Sequence, residues 1–273
     1  MIPRIRSIFR HITPSRRKMT THNTNAACCT IPPVLSDYTP KGTFKSVGSF
    51  SKVYVTGPET STNAIVCVYD IFGYYPQTQQ GADIVASTLK TTVYMPDFFE
   101  PDGPFPHDPF PPTTDEGKQA LQNFFGTTAN PPKNVEKLIE FGKHLKTNGA
   151  VKVGAYGFCW GGKVTVCAGG ENLNTPFSAV SIIHPAMLSA EDSEKLTVPL
   201  AIYPSKDEPK EEFDKIVGIL SKKSFADSCD NKYYSTMHHG WAAARGDLKN
   251  EENKKEFEDV YTKLVNFFKK TLA

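Results

Sequence analysis

Four short apolar runs constrain this chain more than anything else in it: "AIVCVYD" (64–70), "VKVGAYGF" (151–158), "FSAVSIIHP" (177–185) and "PLAIYPSKD" (199–207). None shows the polar–apolar alternation of a strand wet on one face. A continuously apolar strand has to be covered on both faces. Between the runs lie segments with helical spacing, "QTQQGADIVASTLK" (77–90), "PPKNVEKLIEFGKHLK" (131–146) and "PKEEFDKIVGIL" (209–220). The second opens on two prolines, which suit a helix start, and lines up Val135, Leu138, Ile139, Gly142 and Leu145 on one face. The chain ends in a strongly amphipathic segment (254–270) that puts Phe257, Val260, Tyr261, Leu264 and Phe268 together. Strands alternating with helices predict an α/β architecture, a mostly parallel sheet with helices on both faces. Residues 44–57 read as one or two edge strands, 91–97 and 231–236 as further strands, and the Pro-, Asp- and Gly-rich 100–115 as loop.

The 273 residues, 39% hydrophobic, suffice for one large core over 41–273. Residues 1–40 are polar and broken by Pro32, Pro33 and Pro40, and read as an irregular arm. No apolar run reaches the roughly 18 residues of a membrane span. The net charge of +2 is unevenly spread: residues 1–18 hold six cations and no acid, so the rest carries 25 basic against 29 acidic residues. That mildly acidic body excludes a nucleic-acid surface. The basic start fits either a mitochondrial presequence or a plain leader upstream of Met19. Six cysteines in a chain this long do not make a disulfide framework and point to a reducing, cytoplasmic setting. The adjacent Cys28 and Cys29 read as ordinary thiols, since neighbouring cysteines bridge only with strain.

One thiol stands apart. In "GFCWGG" (157–162), Gly157 and Gly161 flank Cys159 at the point where a strand turns into a helix. G-x-C-x-G is the cysteine form of the nucleophile elbow, whose glycines let the helix cross close to the strand. The turn would aim the sulfur outward and set the Trp160 N–H at the helix start, where it can stabilise an oxyanion. The bland reading is a tight turn with an inert buried cysteine. Two further groups weigh against it. Asp207 follows the strand ending "IYPS", and His239 follows "KYYST", so nucleophile, acid and base come in the order of the α/β-hydrolases, each just past a strand. His238 is the alternative base, disfavoured because Gly240 lets the loop turn His239 inward, and Asp227 and Asp230 are weaker acids. His184, closing another strand, is structural or pocket-lining. Asp70 ends an apolar strand, either as a turn cap or as a carboxylate that governs the protonation of Cys159. In the latter case the N–H of Ile71 is the second oxyanion donor. No compact set of metal ligands is present and no cofactor is called for.

The motifs "YDIFGYY" (69–75), "MPDFF" (95–99), "GFCWGG", "SKDE" (205–208) and "HHGW" followed by Arg245 resemble the dienelactone hydrolase family over residues 45–272, closest to its fungal and other eukaryotic members. The resemblance implies a lidless α/β-hydrolase fold that cleaves lactones and small esters through a thioester. It implies Cys159 as nucleophile, His239 as base, Asp207 as its partner and Asp70 as the acid beside the resting thiol. Bacterial members have glutamate where this chain has Asp70. They also carry an arginine after the "PD" of the next strand, where this chain has Glu100 and Pro101. Arg245 is left to anchor a substrate carboxylate. Phe72, Tyr74, Phe98, His184 and Trp241 are expected around a compact, partly aromatic substrate. A catalytically silent or redox-sensing binding protein using Cys159 is the competing reading.

Overall fold

A computed structural model of the chain describes residues 26–170 and 174–273. The basic segment 1–18 lies outside these residues. A five-residue helix, α1 (Ala26–Thr30), interrupts the arm that the prolines mark as irregular. The antiparallel strands β1 (Thr43–Val47) and β2 (Phe50–Thr56) follow, then β3 (Asn63–Val68), helix α2 (Pro76–Leu89) and β4 (Thr92–Pro96). Beyond the proline-rich loop come α3 (Asp115–Gly126) and α4 (Pro131–Thr147). Strand β5 (Lys152–Phe158) runs into α5 (Trp160–Ala168). It is followed by β6 (Ala179–Ile183), the short α6 (Ala190–Glu194), β7 (Leu200–Tyr203), α7 (Lys210–Leu220), β8 (Asp230–Asn231) and α8 (Glu251–Thr271).

Helix ends follow the local chemistry. Asn130 caps α4 by accepting the Lys133 N–H at 3.2 Å, and His144 and Lys146 sit in its last turn, where positive charge suits the helix dipole. Asn250 caps α8, with Glu251 and Glu252 in its first turn. Helix α3 is not announced by the apolar pattern, because only Leu121 and Phe125 are buried along it. Thr114 caps it, and Asp115 and Glu116 open it.

The eight strands form one sheet in the order β1-β2-β4-β3-β5-β6-β7-β8, parallel from β4 to β8 and antiparallel at β1 and β2. The interior strands β5, β6 and β7 are buried almost end to end, as their apolar runs require. Two glycines of β5 show that both faces are covered. A side chain at Gly154 would strike Phe268 of α8, and one at Gly157 would overlap Gly161 and Thr165 of α5. Positions three apart on a strand point to opposite faces, so α8 and α5 lie on opposite sides of the sheet. The sheet order reverses at β3, which opens a crevice beyond the carboxyl ends of β3 and β5.

The strand expected over 231–236 is much shorter. Only Asp230 and Asn231 pair with β7, and an isolated bridge joins Ser205 to Tyr234. Residues 232–236 turn away from the ladder, although Lys232 and Tyr234 still donate to Ile202 and Pro204 at 3.2 and 2.9 Å.

Candidate active site

Cys159 occupies the turn between β5 and α5 with φ 52° and ψ −117°, a region an L-residue enters at a cost of order 1–3 kcal/mol. Its surroundings hold it there. The Cys159 N–H donates to Ile183 at 3.2 Å, and its carbonyl accepts from Gly162 at 3.1 Å and Ala186 at 2.9 Å. A Cβ at Gly161 would overlap the carbonyls of Val68 and Tyr69, so α5 leaves the elbow in direct contact with β3. The Trp160 indole donates to Ala129 at 2.7 Å, which anchors the first turn of the helix. Of the other thiols, burial pushes Cys67 and Cys167 up to about 12, which keeps them protonated at neutral pH.

The strand registers bring three residues level with one another. Val68 pairs with Gly157, and Phe158 with Ile183, so continuing each strand sets Asp70, Cys159 and His184 side by side at the sheet end. Asp70 is fully buried, and its Oδ1 accepts the Phe72 N–H at 2.9 Å, the contact of the turn cap that is one of its two readings. Ile71 lies in this turn, and its carbonyl accepts from Phe105 at 3.0 Å.

His239 and the acid loop meet at the same end. His239 is fully buried, and its Nδ1 lies 2.6 Å from Oε1 of Glu208, also buried. The acid on the ring is therefore Glu208 and not the expected Asp207. Asp207 is half-buried, and its carboxylate accepts the backbone N–H of His239 at 2.7 Å. The correction is one of reach: the turn at Ser205 brings Asp207 to the histidine backbone, and the ring beyond it falls to the longer neighbour. The signal in the sequence is the "DE" pair itself, two consecutive acids of different length. The second Glu208 oxygen accepts the Ser205 N–H, so this side chain is held at both ends. Lys206 donates to Met237 at 3.1 Å, which joins the two loops. Gly240 has φ +95°, which turns the chain as expected, while half-buried His238 folds its Nδ1 onto the His239 carbonyl at 3.0 Å.

The expected pocket residues separate into two groups. His184 and Trp241 join the cluster: the His184 ring lies 5.1 Å from that of His239 and 5.3 Å from Trp241. Phe72, beyond the Asp70 turn, packs its ring against Tyr75 and Phe110. Tyr74 and Phe98 do not join the cluster. The Tyr74 hydroxyl donates to Lys52 and Met95, and Phe98 is a core residue between Phe50, Tyr69 and Trp160. Arg245 is fully buried. Its Nε donates to the Ile31 carbonyl, and its guanidinium lies 4.7 Å from the Phe72 ring and 5.8 Å from Phe110. The arm continues over it, with Val34 donating to Ala244 at 2.9 Å and Gln77 to the Val34 carbonyl at 2.8 Å. Among the described residues no helix is long and apolar enough to cross a membrane, and no group of three or more His, Cys, Asp or Glu could hold a metal ion.

This strand order, with a strained elbow after the fifth strand and a buried carboxylate–histidine pair beyond the seventh, defines an α/β-hydrolase. Solved structures agree on the fold: the dienelactone hydrolase of Anabaena variabilis superposes with a TM-score of 0.58 at 13% identity, covering 86% of this chain and 99% of that one. The chain belongs to the dienelactone hydrolase family, whose sequence profile matches residues 51–272. That membership places it among the hydrolases of esters and lactones. An uncharacterized AIM2 family protein of Schizosaccharomyces pombe is 34% identical over 241 residues, 85% of this chain and 92% of that protein. A carboxymethylenebutenolidase homolog of Xenopus tropicalis is 29% identical over 229 residues, 80% of this chain and 87% of that protein.

Proposed function

We propose that this chain hydrolyses small carboxylic esters or lactones through a thioester on Cys159, with His239 as the base and Glu208 as the acid that orients it. The observation that carries the reading is the buried Glu208–His239 contact at the sheet end that also bears the elbow. A carboxylate on Nδ1 fixes the tautomer with the proton on that nitrogen, which leaves Nε2 to accept one. Asp207, bound to the His239 backbone, holds the loop that carries the base.

The reaction runs in two halves. His239 takes the Cys159 proton, the sulfur adds to the ester carbonyl carbon, and the oxyanion is met by the N–H groups of Ile71 and Trp160. The tetrahedral adduct collapses with loss of the alcohol, or opening of the lactone ring, and His239 returns the proton to that oxygen. Water then cleaves the thioester and releases the acid. Asp70, level with the elbow, opposes the thiolate in the resting enzyme through its charge. The silent or redox-sensing alternative has no observation in its favour.

The enclosure of Arg245 supports a preference for uncharged substrates, since the guanidinium is fully buried beneath the arm and against two aromatic faces. The test is a panel of neutral and carboxylate-bearing esters and lactones run on wild type and Cys159→Ala, with intact-protein mass spectrometry of quenched reactions. An acyl adduct that maps to Cys159, and faster turnover of the neutral compounds, is the expected result. Undiminished hydrolysis by Cys159→Ala would overturn it.

A further inference from the structure

His184 has no role in the acylation chemistry above, yet it is built into the site at a cost. It is fully buried, its φ is +37°, and neither ring nitrogen has a hydrogen-bond partner among the described residues. A non-glycine residue in that backbone region is strained, and a buried imidazole without partners has lost its hydration. The position is nonetheless firmly fixed. The His184 N–H donates to Tyr203 at 2.9 Å, and the register sets the residue directly beside Cys159. Its ring is walled by Phe158 at 5.5 Å and Trp241 at 5.3 Å, neither of which supplies a hydrogen-bond acceptor, and it meets the His239 ring edge-on at 5.1 Å and 66°. The Trp241 Nε1 next to it is also without a partner among the described residues. Burial lowers the His184 pKa well below its usual value, and the neighbouring His239, Arg245 and His238 add to the effect, so the ring is neutral.

A neutral imidazole offers one donor and one acceptor. Buried polar groups with no protein partner are normally satisfied by ordered water. We propose that His184 is the positioning residue for the hydrolytic water, binding it at a ring nitrogen beside His239 and next to the acyl group on Cys159. The inference rests on the thioester reading. In this step the water oxygen adds to the thioester carbonyl carbon while His239 Nε2 takes one of its protons. The second O–H donates to a His184 ring nitrogen, which gains and loses no proton. The carbon–sulfur bond then breaks with its electron pair left on sulfur, the carboxylic acid departs, and the thiolate remains beside the His239 imidazolium.

The experiment separates the two halves of the reaction. Full-length wild type, His184→Phe and His184→Asn are acylated with p-nitrophenyl acetate in a rapid-mixing instrument. The nitrophenol burst reports acylation. The decay of the acyl-enzyme mass reports deacylation, a first-order rate that does not depend on the fraction of protein folded. His184→Phe keeps an aromatic ring at the position and removes both nitrogens. It should acylate at close to the wild-type rate and deacylate about ten- to a hundredfold more slowly, the loss of one hydrogen bond made in the transition state. Asparagine tolerates the backbone conformation and keeps a polar group, and should fall between. Hydroxylamine, which attacks without a placed water, should cleave the His184→Phe acyl-enzyme as fast as wild type. Unchanged deacylation in His184→Phe overturns the proposal, as does an equal slowing with water and with hydroxylamine. An acyl adduct that never appears on Cys159 in wild type overturns the thioester reading, and this inference with it.

Discussion

The elbow and the acid–histidine pair meet at one end of the sheet but are held there by different means. Backbone crowding holds the elbow: Gly157 against Gly161 and Thr165, Gly161 against Val68 and Tyr69, all within two neighbouring strands and one helix. The pair is held by side chains that reach between loops 31 and 32 positions apart, Glu208 to the His239 ring and Asp207 to its backbone. Crowding leaves a mark in local spacing, because only glycine fits. Reach leaves only an ambiguous one, because two acids of different length stand next to each other and the turn decides which meets the ring.

The largest effect should come from Cys159→Ala, which removes the proposed nucleophile while keeping a Cβ in the same strained turn. A loss of ~10³-fold or more in turnover is expected, with little change in melting temperature. Near-normal turnover would reduce the elbow to a structural turn. His239→Ala should be about as damaging and His238→Ala mild, since only His239 faces an acid. The reverse ranking would move the base to His238.

The comparison itself is sharpened by the two acids. Glu208→Gln loses the charge on Nδ1 and should cost ~10²-fold or more in turnover. Asp207→Asn still offers an oxygen to the His239 N–H and should cost less than about tenfold. If Asp207→Asn proved the more damaging in kcat, the side-chain assignment here would be wrong. The smallest change is Asp70→Asn. Asparagine can still accept the Phe72 N–H, so the cap survives and only the charge is lost. Faster alkylation of Cys159 by iodoacetamide, with lower ester turnover, is expected. Both rates unchanged would leave Asp70 as a cap alone.

The sequence made the sheet legible wherever burial on both faces forced continuous apolar runs, and the elbow wherever close packing forced glycine. Where neither applied, less could be read. Helix α3 buries two side chains, too few to leave a periodic face, although its Thr114 cap and two leading acids were visible. Residues 231–236 carry the β-prone pair Tyr233 and Tyr234, yet only the first two positions of the wider segment join the ladder. Tyr74 and Phe98 are aromatic residues near a strand end, which does not reveal whether a ring faces the crevice or the core. Arg245 is an arginine in the expected motif, but it donates to Ile31, far away in the chain, which the motif does not reveal.

The brevity of β8 has a consequence of its own. A sheet that closes on a two-residue strand leaves the histidine-bearing loop outside its ladder. Insertions and deletions between Tyr234 and Met237 can then be absorbed without breaking a strand pairing, provided that the tie to the acid loop is remade. The elbow has no such slack, because every added atom there meets a neighbouring backbone. The proposed base therefore sits on a segment that tolerates a change of length, and the proposed nucleophile on one that does not.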